Sequence, residues 1–515
     1  MVAPVAAPSP AAPPPILPLV GSARVLATLA LALATFMNVL DTTIANVSIP
    51  TIAGDLGVSA SQGTWIITSF AVSNAISLPL TGWLARRFGA VRVFIFATLL
   101  FVVASALCGL ATSLAMLVVC RVAQGLVAGP MIPLSQALLL QCYPPEKSGS
   151  ALAVWSSTTT VAPVVGPILG GWISDNTLWG WIFYINIPVG LLAAGLGWML
   201  LKHRETPTLR LSVDGVGLAL LVVWVGALQL TLDRGKELDW FGSPQIVALS
   251  IVAVVTFCFF IVWERGQQHP IVDLALFKRP SFALGTLALA LGYGVFFANI
   301  VVQPLWMQQY MGYTATWAGL ATAPGALLAI LLMPLVGKSL HKIDPRIFAV
   351  IAFVVLALSS FMRGKFNTEM TFVDMIVPQL IQGIALACFF VPLSSIILSG
   401  LDSGQTAAAA GLSNFARITA GAFGASISIT LWENRAALHH AHLSESITPY
   451  HPAAQMSLAA LENQGMTREQ ALAAIDRLIN TQAATLSAVE FFWASGVVFL
   501  LLIGVTVFAK AAKTR

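Results

Sequence analysis

Two ionisable side chains stand inside long apolar runs, where neither has water to solvate it. Asp41 lies in Phe36-Met-Asn-Val-Leu-Asp-Thr-Thr-Ile-Ala-Asn-Val47, with Asn38 and Ser48 on roughly the same helical face. A carboxylate at mid-bilayer costs about 2.5–3.5 kcal/mol on insertion scales, so it belongs in a bundle interior or a wet cavity, where binding and releasing protons is its natural chemistry. Pairing with polar neighbours near the outer interface is the plainer alternative. The second charge is Arg121, in Cys120-Arg-Val-Ala-Gln-Gly-Leu-Val-Ala-Gly129. Arg121, Gln124, Gly125, Ala128 and Gly129 share one helical face. A guanidinium keeps its charge and can respond to the protonation of a nearby carboxylate; tying helix ends together is its structural alternative. Arg417 is the only other basic residue expected within the membrane, and the same two readings apply. Asp41, Arg121 and Arg417 are therefore the candidates for proton coupling.

Other side chains suit binding or movement. Asn38, Gln124, Trp155, Tyr293, Phe297, Asn299 and Gln303 would give a cavity apolar walls with a few polar points, and any one of them could equally be packing. In Ala162-Pro-Val-Val-Gly-Pro-Ile-Leu-Gly-Gly171, residues Ala162, Gly166 and Gly170 form a stripe that lets another helix approach closely. Pro163 and Pro167 stand within it, and Pro167 removes a backbone bond and favours a bend. His439, His440 and His442 lack a matching acid or thiol cluster, so no metal is expected. No GxxxxGK[ST] loop is present, which removes ATP as the evident energy source, and no cofactor is implied. The five cysteines, all in or beside apolar runs with no CxxC pair, predict no disulfide framework.

The elements that hold these residues follow from composition. Hydrophobic residues make up 57% of the 515 and charged ones 9%, against roughly 25% charged in a soluble domain. Apolar runs of about 20 residues span a hydrocarbon core as helix, the form that pairs every backbone group internally. The runs predict fourteen helices, near 25–47, 64–84, 93–112, 115–141, 148–172, 180–201, 214–232, 244–264, 281–309, 316–337, 346–362, 371–400, 406–432 and 487–509. The net charge of +5 comes without a basic arm or patch, so nucleic acid is not expected. With both termini cytoplasmic, most Lys and Arg, including Arg86, Arg87, Lys202, Arg210 and Lys338, fall on the inner side, as the positive-inside rule asks.

Gly57, Gly82, Gly149 and Gly166 each recur 255 residues later, at Gly312, Gly337, Gly404 and Gly421. This predicts two homologous six-helix halves, 21–201 and 281–515, with two inserted helices in the linker 202–280 and a disordered cytoplasmic tail at 1–20. One long outer segment, 433–486, holds a capping box at Thr467 to Gln470 ahead of apolar Leu472, Ile475, Leu478 and Ile479.

These segments resemble the major facilitator superfamily, and within it the fourteen-helix drug:proton antiporters of EmrB type. Gly82-Trp-Leu-Ala-Arg-Arg-Phe-Gly89 is similar to the family's loop 2–3 motif, carrying Gly82, Arg86, Arg87 and Gly89. Arg121 to Gly129 resembles the fourth-helix motif, and Gly166-Pro167 with Gly170-Gly171 the antiporter motif. Leu40 to Pro50 and Trp181 to Pro188 match two more. One position departs: Arg86 stands where the family usually has an acid, so the charge relay assigned to that acid does not carry over. The resemblance implies an all-α membrane carrier, not an enzyme, that exports hydrophobic drugs for protons across a bacterial inner membrane by alternating access. It also implies a periplasmic EmrA-type adaptor and an outer-membrane TolC-type channel as partners, with lipid around the bundle. A proton-coupled uptake permease is the rival reading, against which the Gly166 to Gly171 motif argues.

Overall fold

A computed structural model describes residues 18–209, 214–267, 270–445, 447–448 and 450–509. Nearly all of the expected N-terminal tail, Arg210 and the side chain of Pro167 lie outside the described residues. Among the described residues, eleven helices are long and apolar enough to cross a membrane. Three further rods lie among them and bring the number to the expected fourteen: the interrupted pair Trp65–Ser77 and Thr81–Phe88, then Ser148–Asn176 and Ser403–Glu445. No strand occurs among the described residues.

In chain order the rods are α1 (Gly21–Asp55), α2 (the pair just given), α3 (Ala90–Gly109), α4 (Leu114–Cys142), α5 (Ser148–Asn176), α6 (Trp181–Leu201), α7 (Gly215–Arg234), α8 (Pro244–Gly266), α9 (Pro280–Gln309), α10 (Ala315–Ser339), α11 (Pro345–Arg363), α12 (Phe372–Ile397), α13 (Ser403–Glu445) and α14 (Arg468–Phe508). α1 to α6 pack as one bundle and α9 to α14 as the other. The sequence repeat is a repeated turn. Gly57 and Gly312 take φ of +65° and +71°, which a glycine adopts without strain, and two residues on Ser59 and Thr314 cap the next helix through their hydroxyls.

The bundles meet closely at the end that carries Arg86, Arg87 and Lys338. A Cβ at Gly82 would overlap Ala408, one at Gly149 the carbonyl of Gly337, and one at Gly411 would lie 2.9 Å from the carbonyl of Leu78. Only glycine allows backbones this near, so the small residues of the loop 2–3 motif and of its repeat serve the contact between halves.

α7 and α8 form a hairpin outside both bundles. Val254 and Val262 of α8 are 63% and 72% exposed, a lipid-facing surface. α7 touches both halves near the far end, through Thr68 donating to Asp233 and Ser426 donating to the Leu232 carbonyl.

The outer segment, expected to carry at least one amphipathic helix, is helical over most of its length. α13 continues to Glu445 and α14 begins at Arg468, with a short helix Pro452–Asn463 between. The Thr467–Gln470 capping box is present. The expected apolar face is divided: Ile475 is turned inward, whereas Leu472 and Leu478 are exposed. Trp432 Nε1 bonds the Ala484 carbonyl at 2.9 Å, and Arg435 holds Glu490 through two bonds of 2.7 and 2.8 Å. Hydropathy ends where lipid ends, whereas these helices go on because their outer turns pair with each other.

Gly337→Val should hold the bundle ends apart. Spin labels at Lys147→Cys and His341→Cys, on the exposed turns flanking the Gly149–Gly337 contact, should report a longer distance in that background. An unchanged distance would mean that the contact yields to a side chain.

Candidate functional site

Asp41 and Arg121 meet. Arg121 Nη1 lies 2.5 Å from Asp41 Oδ2, and both side chains are wholly buried. The other carboxylate oxygen accepts from Gln124 Nε2 at 3.0 Å and Asn186 Nδ2 at 2.8 Å. Arg121 also donates to Gln124 Oε1 at 2.7 Å and, from Nε, to the Ile66 carbonyl at 3.0 Å. Its guanidinium carbon stands 4.2 Å from the Phe70 ring centre and 5.6 Å from that of Phe183. Ser105 closes the cluster, accepting from Asn186 at 2.9 Å and Gln124 at 3.2 Å and donating to the Phe183 carbonyl. Helices α1, α2, α3, α4 and α6 therefore all reach this ion pair.

Such a site can do one thing well. Two amide donors and a cation suit Asp41 as a carboxylate; a proton there cancels the charge that balances Arg121 and leaves a buried cation unpaired. Breaking one side of a buried pair costs about 3–5 kcal/mol, enough to drive a rearrangement.

Asn38 lies one turn away and donates to the Ala128 carbonyl at 2.8 Å, fastening α1 to α4. Beyond it, the stripe of α5 lies on α1 next to the site: a Cβ at Gly166 would overlap Thr43 Oγ1, and one at Gly170 would lie 3.0 Å from the Ile44 carbonyl. Pro163 is exposed, and a Cβ at Gly171 would meet nothing within 4 Å, so these two lie off the contact.

The loop 2–3 motif keeps a carboxylate in spite of Arg86. Glu205 accepts from the backbone N–H of Val91 and Arg92, each at 2.9 Å, at the positive end of α3. Gly89, at φ +94°, leaves no room for a Cβ beside that carboxylate. Arg86 donates to the Pro270 carbonyl at 3.3 Å, and Arg87 lies over the Trp83 and Phe88 rings.

Arg417 stands apart from Asp41. It donates to Asn414 Oδ1 at 3.1 Å and lies 4.8 Å from the centre of the Tyr293 ring, which is stacked on Phe297. With Trp155, Gln136 and Phe390 it lines a narrow pocket between the halves. Trp155 is fixed there by a 3.1 Å bond to Ser135. Asn299 and Gln303 are elsewhere: both are buried inside the C-terminal bundle.

There they accompany a residue the sequence reading missed. Arg417 is not the only further basic residue at membrane depth, because Arg363 is 2% exposed inside the C-terminal bundle. It ends an apolar run, which makes it look like an interfacial charge, but its side chain turns back to Gln382 and Asn299. Asn186 and Ser105 were also missed as site residues; Asn186 stood in a recognisable motif, and Ser105 gave no signal. Among the described residues no group of His, Cys, Asp and Glu could hold a metal.

The profile of the Major Facilitator Superfamily matches residues 31–425. The chain is 53% identical over 494 residues to the multidrug export protein EmrB of Escherichia coli, covering 96% of each. It is 50% identical to the fatty acid resistance protein FarB of Neisseria gonorrhoeae, covering 96% of this chain and 97% of the relative. Among solved structures, a double-tryptophan mutant of XylE matches with a TM-score of 0.59 at 16% identity, over 95% of this chain and 96% of the other. The human organic anion transporter MFSD10 matches with a TM-score of 0.55 at 14% identity, over 94% and 98%. By its fold, its internal repeat and this full-length likeness, the chain belongs to the Major Facilitator Superfamily.

Proposed function

We propose that this chain is a proton-coupled multidrug exporter of a bacterial inner membrane, not an enzyme, with both termini in the cytoplasm. The observation that carries the reading is the buried Asp41–Arg121 pair beside the glycine stripe of α5. The export proteins among its relatives support the direction of transport. A proton arriving at Asp41 frees Arg121 and shifts α1; α5 follows through Gly166 and Gly170, and its other end carries the Gly149 contact with Gly337 across the halves. Coupling and access are thereby joined in one helix. Each inward proton supplies about 2.3 kcal/mol per 100 mV. The basic end of the fold is the cytoplasmic end, so the conformation described is closed toward the cytoplasm. Trp155, Tyr293, Phe297 and Arg417 form the substrate's wall between the halves, and Asn38 and Gln124 support the coupling site.

The outer helical hairpin is the docking element for a periplasmic adaptor of EmrA type, with a TolC-type channel beyond it. α13 has 43 residues, about 65 Å of helix, roughly twice the depth of a hydrocarbon core. The excess projects outward with Leu472 and Leu478 exposed.

Asp41→Asn should leave the protein folded while drug-driven proton release in proteoliposomes disappears. Proton exchange at the original rate would remove Asp41 from the coupling step. Arg121→Lys should also impair transport, because a compact ammonium cannot hold Asp41, Gln124 and the Ile66 carbonyl together; full drug resistance at equal expression would leave only a requirement for charge. Replacing 440–480 by a short Gly-Ser linker retains the Trp432–Ala484 and Arg435–Glu490 contacts. It should abolish adaptor pull-down and spare transport in proteoliposomes, whereas retained binding with altered transport would make the hairpin an exit lid.

A further inference from the structure

The C-terminal bundle repeats the coupling site with its negative charge missing. Asp41, Ser105, Arg121 and Gln124 stand 258 residues before Asn299, Arg363, Gln379 and Gln382, and Phe183 and Asn186 stand 309 before Phe492 and Ser495. The second set gathers as the first does. Arg363 donates to Gln382 Oε1 and, from Nη1, to Asn299 Oδ1 at 3.5 Å. Asn299 Nδ2 donates to Ser495 at 3.1 Å, at the two positions where Asn186 donates to Asp41 in the first half. The guanidinium carbon lies 5.9 Å from the centre of the Phe492 ring, where Arg121 lies 5.6 Å from that of Phe183.

Two exchanges distinguish the halves. The cation has moved from the fourth helix of its bundle to the third, and the carboxylate has become the amide of Asn299. Arg363 is thus a fully buried cation with no ion pair among the described residues. Beside this cluster, Gln379 Nε2 donates to Gln303 Oε1 at 2.8 Å, which leaves the Gln303 amide N–H groups pointing elsewhere. Arg363 Nε and Gln303 Nε2 are both buried donors with no acceptor. Amide oxygens carry only partial charge, and a buried cation is stable when a full opposite charge accompanies it. Unanswered N–H donors around a cation are the chemistry of an anion site.

We infer that the C-terminal bundle binds one small inorganic monovalent anion, with chloride the abundant candidate, between Arg363 and the side-chain amide of Gln303. The anion supplies the counter-charge that the Asp41 carboxylate gives in the other half. Arg363 and Gln303 are 2% and 1% exposed, which disfavours a bulky organic acid. Such an ion carries a fixed charge. The inference does not depend on which compound the protein carries.

The test uses the full chain purified in detergent, with its unfolding midpoint measured as chloride replaces gluconate at constant ionic strength. The midpoint should rise by a few degrees and saturate, bromide should substitute, and gluconate should not. Arg363→Gln should abolish the response. Asn299→Asp supplies a carboxylate in place, so its midpoint in gluconate should reach that of the parent protein in chloride, and its chloride response should vanish. This variant decides the matter even where Arg363→Gln fails to fold. Equal midpoints in the two salts for the parent protein, or a full chloride response surviving in Asn299→Asp, would overturn the site.

Discussion

A formal charge inside a bilayer is tolerated only with its counter-charge held in the same bundle, and the N-terminal half is organised around that condition. Arg121 of α4 and Asp41 of α1 draw a bond or a ring face from Ile66 and Phe70 of α2, Gln124 of α4, and Asn186 and Phe183 of α6, while Ser105 of α3 bonds Gln124 and Asn186 behind them. An ion pair of this sort need not add net stability, since its desolvation offsets its attraction. What it does is tie the surrounding helices to one another through polar contacts. The sixth helix, α5, gives no ligand to the pair; it is held to α1 by the close glycine contacts and by two hydrogen bonds, Thr43 to the Ala162 carbonyl at 3.4 Å and Ser174 to Ser48 at 2.8 Å. It also meets the other half, through Gly149.

Glycine spacing supplies the second constraint. Contacts at Gly82–Ala408 and Gly149–Gly337 bring backbones together without interlocking side chains, and surfaces of that kind can separate and rejoin with little repacking. The two interiors differ. Aromatic and aliphatic side chains fill the C-terminal core around Phe353, Phe389 and Phe499, and its one buried arginine faces amides. The N-terminal half instead places a carboxylate against its buried arginine. The two bundles therefore differ in what faces their central cation.

Asp41 and Arg121 were legible because charges interrupting apolar runs are rare and expensive. Their supporting shell was not, since Ser105 and Asn186 are polar residues of a kind membrane helices tolerate at many positions. Arg363 was hidden by its place at the end of a run, where a basic residue ordinarily marks the interface; only alignment with Ser105 across the repeat sets it inside. Glu205 was hidden in another way. The acid missing at position 86 returns from a segment more than a hundred residues later, and no local pattern announces that. The outward extension of α13 and α14 failed a hydropathy reading for the same reason that it exists: outside the lipid a helix needs a partner helix, and Arg435, Glu490 and Trp432 provide it through polar bonds.

The inserted hairpin shows how a fourteen-helix chain keeps two mobile halves. At the end away from the basic loops, α7 and the turn after it bond α13 three times, through Leu232 with Ser426, Lys236 with Glu433 at 2.6 Å, and Trp240 with Thr430 at 2.8 Å. The Lys236–Glu433 pair is exposed on both sides, so it is worth at most about 1 kcal/mol, but the Trp240 and Ser426 bonds are partly shielded from solvent. Toward the N-terminal half the only hydrogen bond described for α7 is that of Thr68 with Asp233. α7 also packs along α2, and its Arg234 guanidinium lies 5.2 Å from the centre of the Trp65 ring, so the hairpin is fastened to both halves. Because its other end continues into the linker that receives Arg86 at Pro270, a single hairpin connects the far end of one half to the basic loops of the other.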